Sequence, residues 1–272
     1  ILSIIARFFS KSEFRLILSE RASVAAALSD NPLWQARVLP FLIKLLYNYS
    51  DKVISVSKGI AEELISDFGI EREKSHVIYN PVVNELLVKK SLEHLENIYF
   101  DHRKVPMILG VGRLTSQKNF ELLIKSFSIL RKSIKAKLVI LGEGPLRGEL
   151  ENLAKDLGVE KDVHLPGFVD NPFMWMKNSK VFVLSSDYEG LPNALIQAMA
   201  CGTEVISTNC PTGPEEILEN GKWGKLVNMH DIEGMANAMM SSFSGTKPIN
   251  TMTRAKAFSQ DNAVKMYKEL II

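Results

Sequence analysis

Apolar positions along the chain fall into short continuous runs separated by segments with helical spacing. The runs Phe14 to Ser19, Lys52 to Val56 and Ser75 to Tyr79 predict three strands. Between them, Asn31-Pro32 opens a helix that runs to Tyr49, and Ser57 can cap a helix from Lys58 to Phe68 that Gly69 stops. Strands that alternate with helices imply a parallel sheet. From Val82 to Lys104 the charged residues thicken and the apolar spacing fades, which predicts a linker and a domain boundary.

A second alternating series follows. Strands are predicted at Met107 to Val111, Lys137 to Leu141, Val163 to Leu165, Val181 to Leu184, Glu204 to Ser207 and Lys225 to Val227. The helices between them are Phe120 to Lys132, Leu146 to Leu157, a short one after Asn171-Pro172, Ala194 to Ala200 and Glu215 to Glu219, with two more after the last strand. The fold class is therefore α/β, with two doubly wound parallel-sheet domains, the first of them incomplete. Residues 1–95 form the first domain with its linker, residues 96–250 the second, and residues 251–272 a final helix, Met252 to Leu270, expected to pack back on the first domain.

Composition narrows the class of molecule. A net charge of +2 from 33 basic and 31 acidic residues, mixed along the chain, gives no compositional support for a nucleic-acid-binding surface. No run of about 18 apolar residues predicts a spanning helix. The stretch Leu33 to Tyr49 carries Arg37, Pro40 and Lys44 and reads as a core-facing helix, leaving peripheral contact with an acidic membrane open. The chain opens with Ile1, and Arg7 and Lys11 follow the apolar residues, the reverse of a signal peptide; a fragment of a cytoplasmic protein is expected. Cys201 and Cys210 lack metal-ligand spacing and are expected to be reduced, half-buried thiols, and the five histidines are scattered.

Candidate chemistry collects where ligands bind open parallel sheets, outside the carboxyl ends of the strands. Five loops leave such ends: Gly112 to Lys118, Gly142 to Pro145, Gly167 to Asp170, Asp187 to Asn193 and Thr212 to Glu216. In the fourth, the backbone N–H groups of Gly190 to Asn193 would stand at a helix N-terminus, where unpaired donors and the helix dipole favour an anion. Glu189 would stand beside that anion, which suits a ligand bearing both phosphate and hydroxyls; taken alone, Ser-Asp-Tyr-Glu-Gly also fits any polar strand end. Arg113 and Lys118 are a solvated basic loop on one reading and a diphosphate clamp on the other, a forked guanidinium and a point charge. Two such cations can neutralise a departing nucleoside diphosphate, so no metal is expected.

Together these residues resemble a known family. Gly112-Arg113-Leu114 with Lys118, Gly142-Glu143-Gly144-Pro145, Glu189-Gly190-Leu191-Pro192-Asn193, Ala198-Met199-Ala200-Cys201-Gly202 and Gly213-Pro214-Glu215-Glu216-Ile217 are similar to the nucleotide-sugar-binding domain of the retaining glycosyltransferases of family 4, of GT-B fold. The resemblance covers Val53 to about Phe243. It implies that Arg113 and Lys118 hold the diphosphate and stabilise the leaving group, that Glu189 accepts hydrogen bonds from the sugar hydroxyls, and that backbone groups near Phe168 and Val169 read the base. It also implies that the N–H groups of Gly190 and Leu191 touch the phosphates, with Gly112, Glu143 and Asn193 on the same binding loops. Eight positions after Glu189 the family has a second Glu that grips the ribose; here Gln197 stands there, which offers one acceptor fewer. Glu204 stands where the family usually has Pro.

The expected activity is metal-independent transfer of a hexosyl unit from a nucleoside diphosphate sugar to a hydroxyl of a glycan or lipid-linked acceptor, with retention, in bacterial surface polysaccharide synthesis. No cofactor beyond that donor is expected. The acceptor side would lie in the first domain, where Ser19-Glu20-Arg21 resembles a segment facing the cleft. The rival readings are a non-catalytic or truncated nucleotide-sugar-binding module, which Gln197 makes thinkable, and a GT-B-like sugar-nucleotide epimerase.

Overall fold

The computed structural model describes residues 1–10, 13–24, 34–95, 99–245 and 249–271, with the side chains of the helix beginning at Trp34 described from Val38 onward. The predicted helix start at Asn31-Pro32 and the side chain of Arg37 lie outside the described residues.

The first sheet contains β1 (Ile17–Glu20), β2 (Lys52–Ser55) and β3 (Ser75–Val77), all parallel and in that spatial order. Helix α1 (Leu2–Phe9) precedes it, α2 (Trp34–Leu46) joins β1 to β2, and α3 (Lys58–Ser66) joins β2 to β3. The Ser57 side chain accepts from the Ile60 N–H and so caps α3, a contact worth about 1 kcal/mol. Gly69 takes φ +69, as a helix stop requires. Val53 packs toward Ile60 and Leu64 of α3, while Ile54, one residue on, faces the other way toward Ala263.

The stretch read as a linker contains a helix, α4 (Glu85–Ser91). Asn84 caps it through the Leu87 N–H, Glu85 and the pair Lys89 and Lys90 suit its dipole ends, and Leu87 and Ser91 are buried. A single buried leucine on two turns leaves too little apolar periodicity to be seen in the sequence.

The second sheet holds β4 (Met107–Val111), β5 (Lys137–Leu141), β6 (Val163–Gly167), β7 (Val181–Leu184), β8 (Glu204–Thr208) and β9 (Lys225–Val227). The order is β6-β5-β4-β7-β8-β9, with every pairing parallel. The order therefore reverses between β4 and β7. Strand β6 runs two residues further than its apolar run, through Pro166, because it is an edge strand and a missing N–H there breaks no ladder. Helices α5 (Phe120–Arg131), α6 (Arg147–Asp156), α7 (Pro172–Asn178), α8 (Asn193–Ala200), α9 (Pro214–Leu218) and α10 (Ile232–Ser241) cover both faces. Phe127 and Ile140 are buried in the cluster on one face, and Phe182 and Met199 in the cluster on the other.

One expectation is corrected beyond α10 and another before it. The final helix is not continuous from Met252: α11 (Thr251–Ala255) and a 3-10 turn, Lys256–Phe258, end at Ser259, which is extended, and α12 (Gln260–Ile271) then restarts. The Phe258 carbonyl accepts from the N–H groups of Val82 and Val83, both at 3.0 Å, and the Val83 carbonyl accepts from Gln260 N–H at 2.9 Å. That bridge to the interdomain segment takes the backbone groups a straight helix would use. Ala263 of α12 is buried against Ile54 and Ile78, with Tyr267 and Leu270 alongside. Cys201 and Cys210 are free but fully buried, 2% and 3% exposed, not half-buried.

Candidate functional site

The loops after β4 and β7 leave the sheet at the point where strand order reverses, the position at which an open parallel sheet forms a crevice. They are laced together. Asp187 N–H donates to the Gln117 carbonyl at 2.9 Å and the Gln117 amide returns to the Tyr188 carbonyl at 3.0 Å. The Ser185 hydroxyl donates to the Lys118 carbonyl at 2.8 Å, and the Asn119 amide to Asp187 Oδ1 at 2.8 Å. Asn119 adopts φ +43, a region Asn tolerates, and caps α5 through the Leu122 N–H.

This lacing brings Lys118 and Glu189 together: Nζ lies 2.5 Å from Oε1. The same Oε1 accepts from the Ser186 hydroxyl at 2.7 Å, and the Ser186 carbonyl accepts from Thr208 Oγ1 at 2.5 Å. Glu189 is a buried carboxylate, its side chain 8% exposed against 20% for Lys118, so the pair sits in a medium of reduced dielectric. The Lys118 stem crosses Gly112, where a Cβ would stand 3.2 Å from Cγ and Cδ. Arg113, next in the chain, is exposed and makes no side-chain hydrogen bond or ion pair among the described residues.

The loops after β5 and β6 adjoin. Leu114 N–H donates to the Glu143 carbonyl at 2.9 Å and Gly142 N–H to the Gly167 carbonyl at 2.8 Å. Gly142 has φ +138, and a Cβ there would collide with the Gly112 carbonyl, so only glycine lets these loops close. The Glu143 carboxylate is held by Arg147, at 2.6 Å and 3.0 Å, which keeps it below the usual carboxylate range. It lies over Gly167, where a Cβ would be 2.7 Å from Oε1. Beyond that glycine the Phe168 side chain is 77% exposed, while Val169 turns back to pack on the core.

After β7 the chain passes Gly190 and the buried Leu191 to Pro192, which stands just ahead of α8 rather than within its first turn. The N–H groups of Gly190 and Leu191 make no hydrogen bond among the described residues. Gln197 is one turn into α8 from Asn193, on the same side of the helix, with Leu195, Ile196, Ala198 and Met199 buried between and beyond them. The Thr212 hydroxyl donates to the Glu189 carbonyl, so the loop after β8 braces the same segment.

The first domain reaches this loop. The Arg21 guanidinium donates to Asn80 Oδ1 at 2.7 Å, and the Asn80 amide to Asn193 Oδ1 at 3.0 Å, at the N-terminus of α8. Burial pushes the Glu20 carboxyl up, opposed by the bond it accepts from the Tyr47 hydroxyl and by backbone bonds from Arg21 and Ala22. Sequence reading missed Ser186, Asn119 and Thr212 as parts of the Glu189 environment, and missed Asn80. Their type gave a weak signal, short polar side chains at strand ends, and their partners are distant in sequence.

Two α/β domains with parallel sheets, and a crevice where strand order reverses in the larger, define the GT-B fold. A family model described as Glycosyl transferases group 1 matches residues 95–257, and one described as Glycosyltransferase Family 4 matches residues 18–86. The chain belongs to this glycosyltransferase family. A curated relative from Campylobacter jejuni, N-acetylgalactosamine-N,N'-diacetylbacillosaminyl-diphospho-undecaprenol 4-alpha-N-acetylgalactosaminyltransferase, is 33% identical over 264 residues, covering 95% of this chain and 70% of the relative. The lipopolysaccharide core biosynthesis glycosyltransferase LpsE of Rhizobium meliloti is 32% identical over 71% of this chain and 54% of its own. The chain spans about half the length of several such relatives. Among solved structures, HepE of Anabaena, in complex with UDP and glucose, superimposes with a TM-score of 0.79 at 19% identity, covering 99% of this chain and 74% of that one. Sucrose-phosphate synthase of Thermosynechococcus elongatus gives 0.79 at 21% identity, covering 98% and 70%.

Proposed function

We propose that this chain binds a nucleoside diphosphate sugar between the loops after β4 and β7 and belongs to an enzyme that transfers the sugar with retention to a hydroxyl of a lipid-linked saccharide. The observation that carries the reading is the Lys118–Glu189 pair at the reversal of strand order, beside the N-terminus of α8. An ammonium has three donors, so Lys118 can keep Glu189 while offering a proton to a phosphate oxygen, and the unengaged guanidinium of Arg113 can add a forked contact. The two cations then meet the charge that grows on the leaving diphosphate, and no metal is assigned a role. Glu189 accepts from sugar hydroxyls with its second oxygen. The exposed Phe168 turn and Val169 present backbone to the base, next to Glu143, and Gly112, Gly190, Leu191 and Asn193 line the path of the phosphates. A leaving-group phosphate oxygen takes the acceptor proton, so no protein base is required.

The acceptor class follows the Campylobacter relative, whose name specifies a diphospho-undecaprenol-linked saccharide. No described helix is long and apolar enough to cross a membrane. Leu2, Phe8 and Phe9 of α1 and Phe41 and Leu45 of α2 are exposed, which supports residence at the cytoplasmic face of a membrane that carries such an acceptor. A second reading, binding without transfer, rests on Gln197 where a carboxylate would hold the ribose.

Calorimetric titration with UDP, GDP, ADP and their common sugar conjugates tests the donor site. One nucleotide is expected to bind selectively, with at least about tenfold loss in Arg113→Ala and in Lys118→Ala, the scale of one charge-assisted contact. Binding that both variants leave unchanged, or no binding by any of the panel to the folded chain, overturns the reading.

A further inference from the structure

The first domain meets the loop carrying Glu189 through a joint that the donor chemistry does not explain. Gly190 lies so near that a Cβ would stand 2.6 Å from the Arg21 carbonyl oxygen. Gly59, in the first turn of α3, lies against Thr212, where a Cβ would be 2.9 Å from Cγ2, and the Thr212 hydroxyl in turn holds the Glu189 carbonyl. Beside these contacts Glu216 crosses from α9 to the first domain. Its Oε2 accepts from the Lys58 N–H at 2.8 Å and its Oε1 from the Tyr79 hydroxyl at 2.5 Å, partners 158 and 137 residues away.

Both carboxylate oxygens are thus used by groups of the first domain. The Lys58 N–H is one of the unpaired donors at the start of α3, so Glu216 completes there the capping that Ser57 begins. The far side of the joint is equally fixed. The Tyr79 ring lies 4.9 Å from that of Phe258, and Arg254 sits 4.9 Å over the same ring while donating to the carbonyls of Glu216 and Ile217, both at 2.9 Å. A closed circuit runs from Glu216 through Tyr79, Phe258 and Arg254 back to the helix that bears Glu216. The neighbouring Glu215 is exposed and would satisfy the helix dipole on its own, so dipole complementarity does not account for the reach of Glu216.

We propose that Glu216 and Tyr79 are positioning residues, clamping the first domain onto the segment 187–193 so that closure of the two domains sets the place of Glu189. The proposal rests on reading that segment as the donor loop. An amide at 216 keeps the size but has one acceptor for two donors, so the Lys58 N–H and the Tyr79 hydroxyl compete for it.

Hydrogen exchange of the full chain tests this with Glu216→Gln, Tyr79→Phe, the double variant and Glu215→Gln. Residues 187–193 and 57–61 are expected to exchange at least about fivefold faster in each of the first two, no faster in the double variant than in the stronger single, and unchanged in Glu215→Gln, while β4 and β5 keep their protection. Unchanged exchange over 187–193 in both single variants overturns the proposal. So does an equal rise over β4 and β5, because that describes general loosening. The readout needs no nucleotide. An intact clamp with no nucleotide binding would remove the donor reading alone, and nucleotide binding without the loop response would remove the clamp alone.

Discussion

Replacing Lys118 by Met keeps the stem that crosses Gly112 and removes the charge that Glu189 meets at 2.5 Å. At that separation and an effective dielectric of about 20 the gross attraction is about 7 kcal/mol, set against several kcal/mol of desolvation per ion. Glu189 keeps its Ser186 hydrogen bond but loses its counter-charge while 8% exposed, so the loss of stability should be about 2–4 kcal/mol, discounted for the part of Lys118 that reaches water. A fall of roughly 6–12 °C in Tm corresponds to about 3 kcal/mol. Adding Glu189→Gln should restore about 2 kcal/mol or more, since the neutral amide no longer needs the ammonium. Thermal and urea unfolding of the parent, both singles and the double would refute the reasoning if Lys118→Met fell within about 0.5 kcal/mol of the parent, or if the two substitutions simply added.

Other measurements test separate parts of the molecule. Gln197→Glu should tighten binding of whichever nucleotide the chain takes by about fivefold, roughly 1 kcal/mol for a second acceptor on a hydroxyl pair; unchanged or weaker affinity by titration would remove Gln197 from the site. Glu204→Ala should lower stability by about 1–2 kcal/mol in urea unfolding, because it removes the carboxylate that Lys225 meets at 2.6 Å and the Ser242 hydroxyl at 2.7 Å, leaving Lys225 only its bonds to the Ala238 carbonyl and the Ser242 hydroxyl. Burial pushes both cysteine thiols up to about 12, so neither should react with a thiol reagent at pH 8 until the chain is unfolded; rapid labelling of the native protein would contradict their placement. Because burial raises the Glu20 carboxyl, its contribution to stability is full below about pH 4.3 and fades as pH rises through its higher folded value; Glu20→Gln should flatten that part of the pH–stability curve.

The strands of the larger sheet were legible because they are continuous apolar runs of four or five residues, and Met107–Val111, Lys137–Leu141 and Val181–Leu184 begin and end where the runs do. Helix caps at Ser57 and Asn171 were legible for a local reason, a side chain and a backbone group two or three residues apart. What the sequence hid depends on partners far away. The break at Ser259 is made by Val82 and Val83, and α4 is held by one buried leucine and by Asn171, whose amide donates to the Lys90 carbonyl and to Glu93. Arg113, Lys118 and Glu189 were legible as a set of charges at strand ends, but not the direct contact of two of them. That contact depends on β4 pairing with β7, which no local pattern states.

The Lys118–Glu189 contact bears on how such a loop can be both stable and receptive. A buried carboxylate with no counter-charge is costly to keep in the fold, and a lysine alone at the start of a crevice would keep its water. Paired, each offsets the other's desolvation and is held in direction, so that in the function proposed above an arriving diphosphate would meet a lysine already oriented. The loop bearing Glu189 is braced from the second domain by Thr212 and Gln117 and from the first by Arg21, with Gly59 packed on Thr212. A perturbation that separates the domains should therefore loosen the Glu189 carbonyl through Thr212 before it disturbs Lys118, whose own carbonyl is held by Ser185 within the second domain. Loss of sugar-dependent affinity should then precede loss of diphosphate affinity as the clamp is weakened, an order that titration of the clamp variants with a nucleoside diphosphate and its sugar conjugate would read directly, and the reverse order would contradict it.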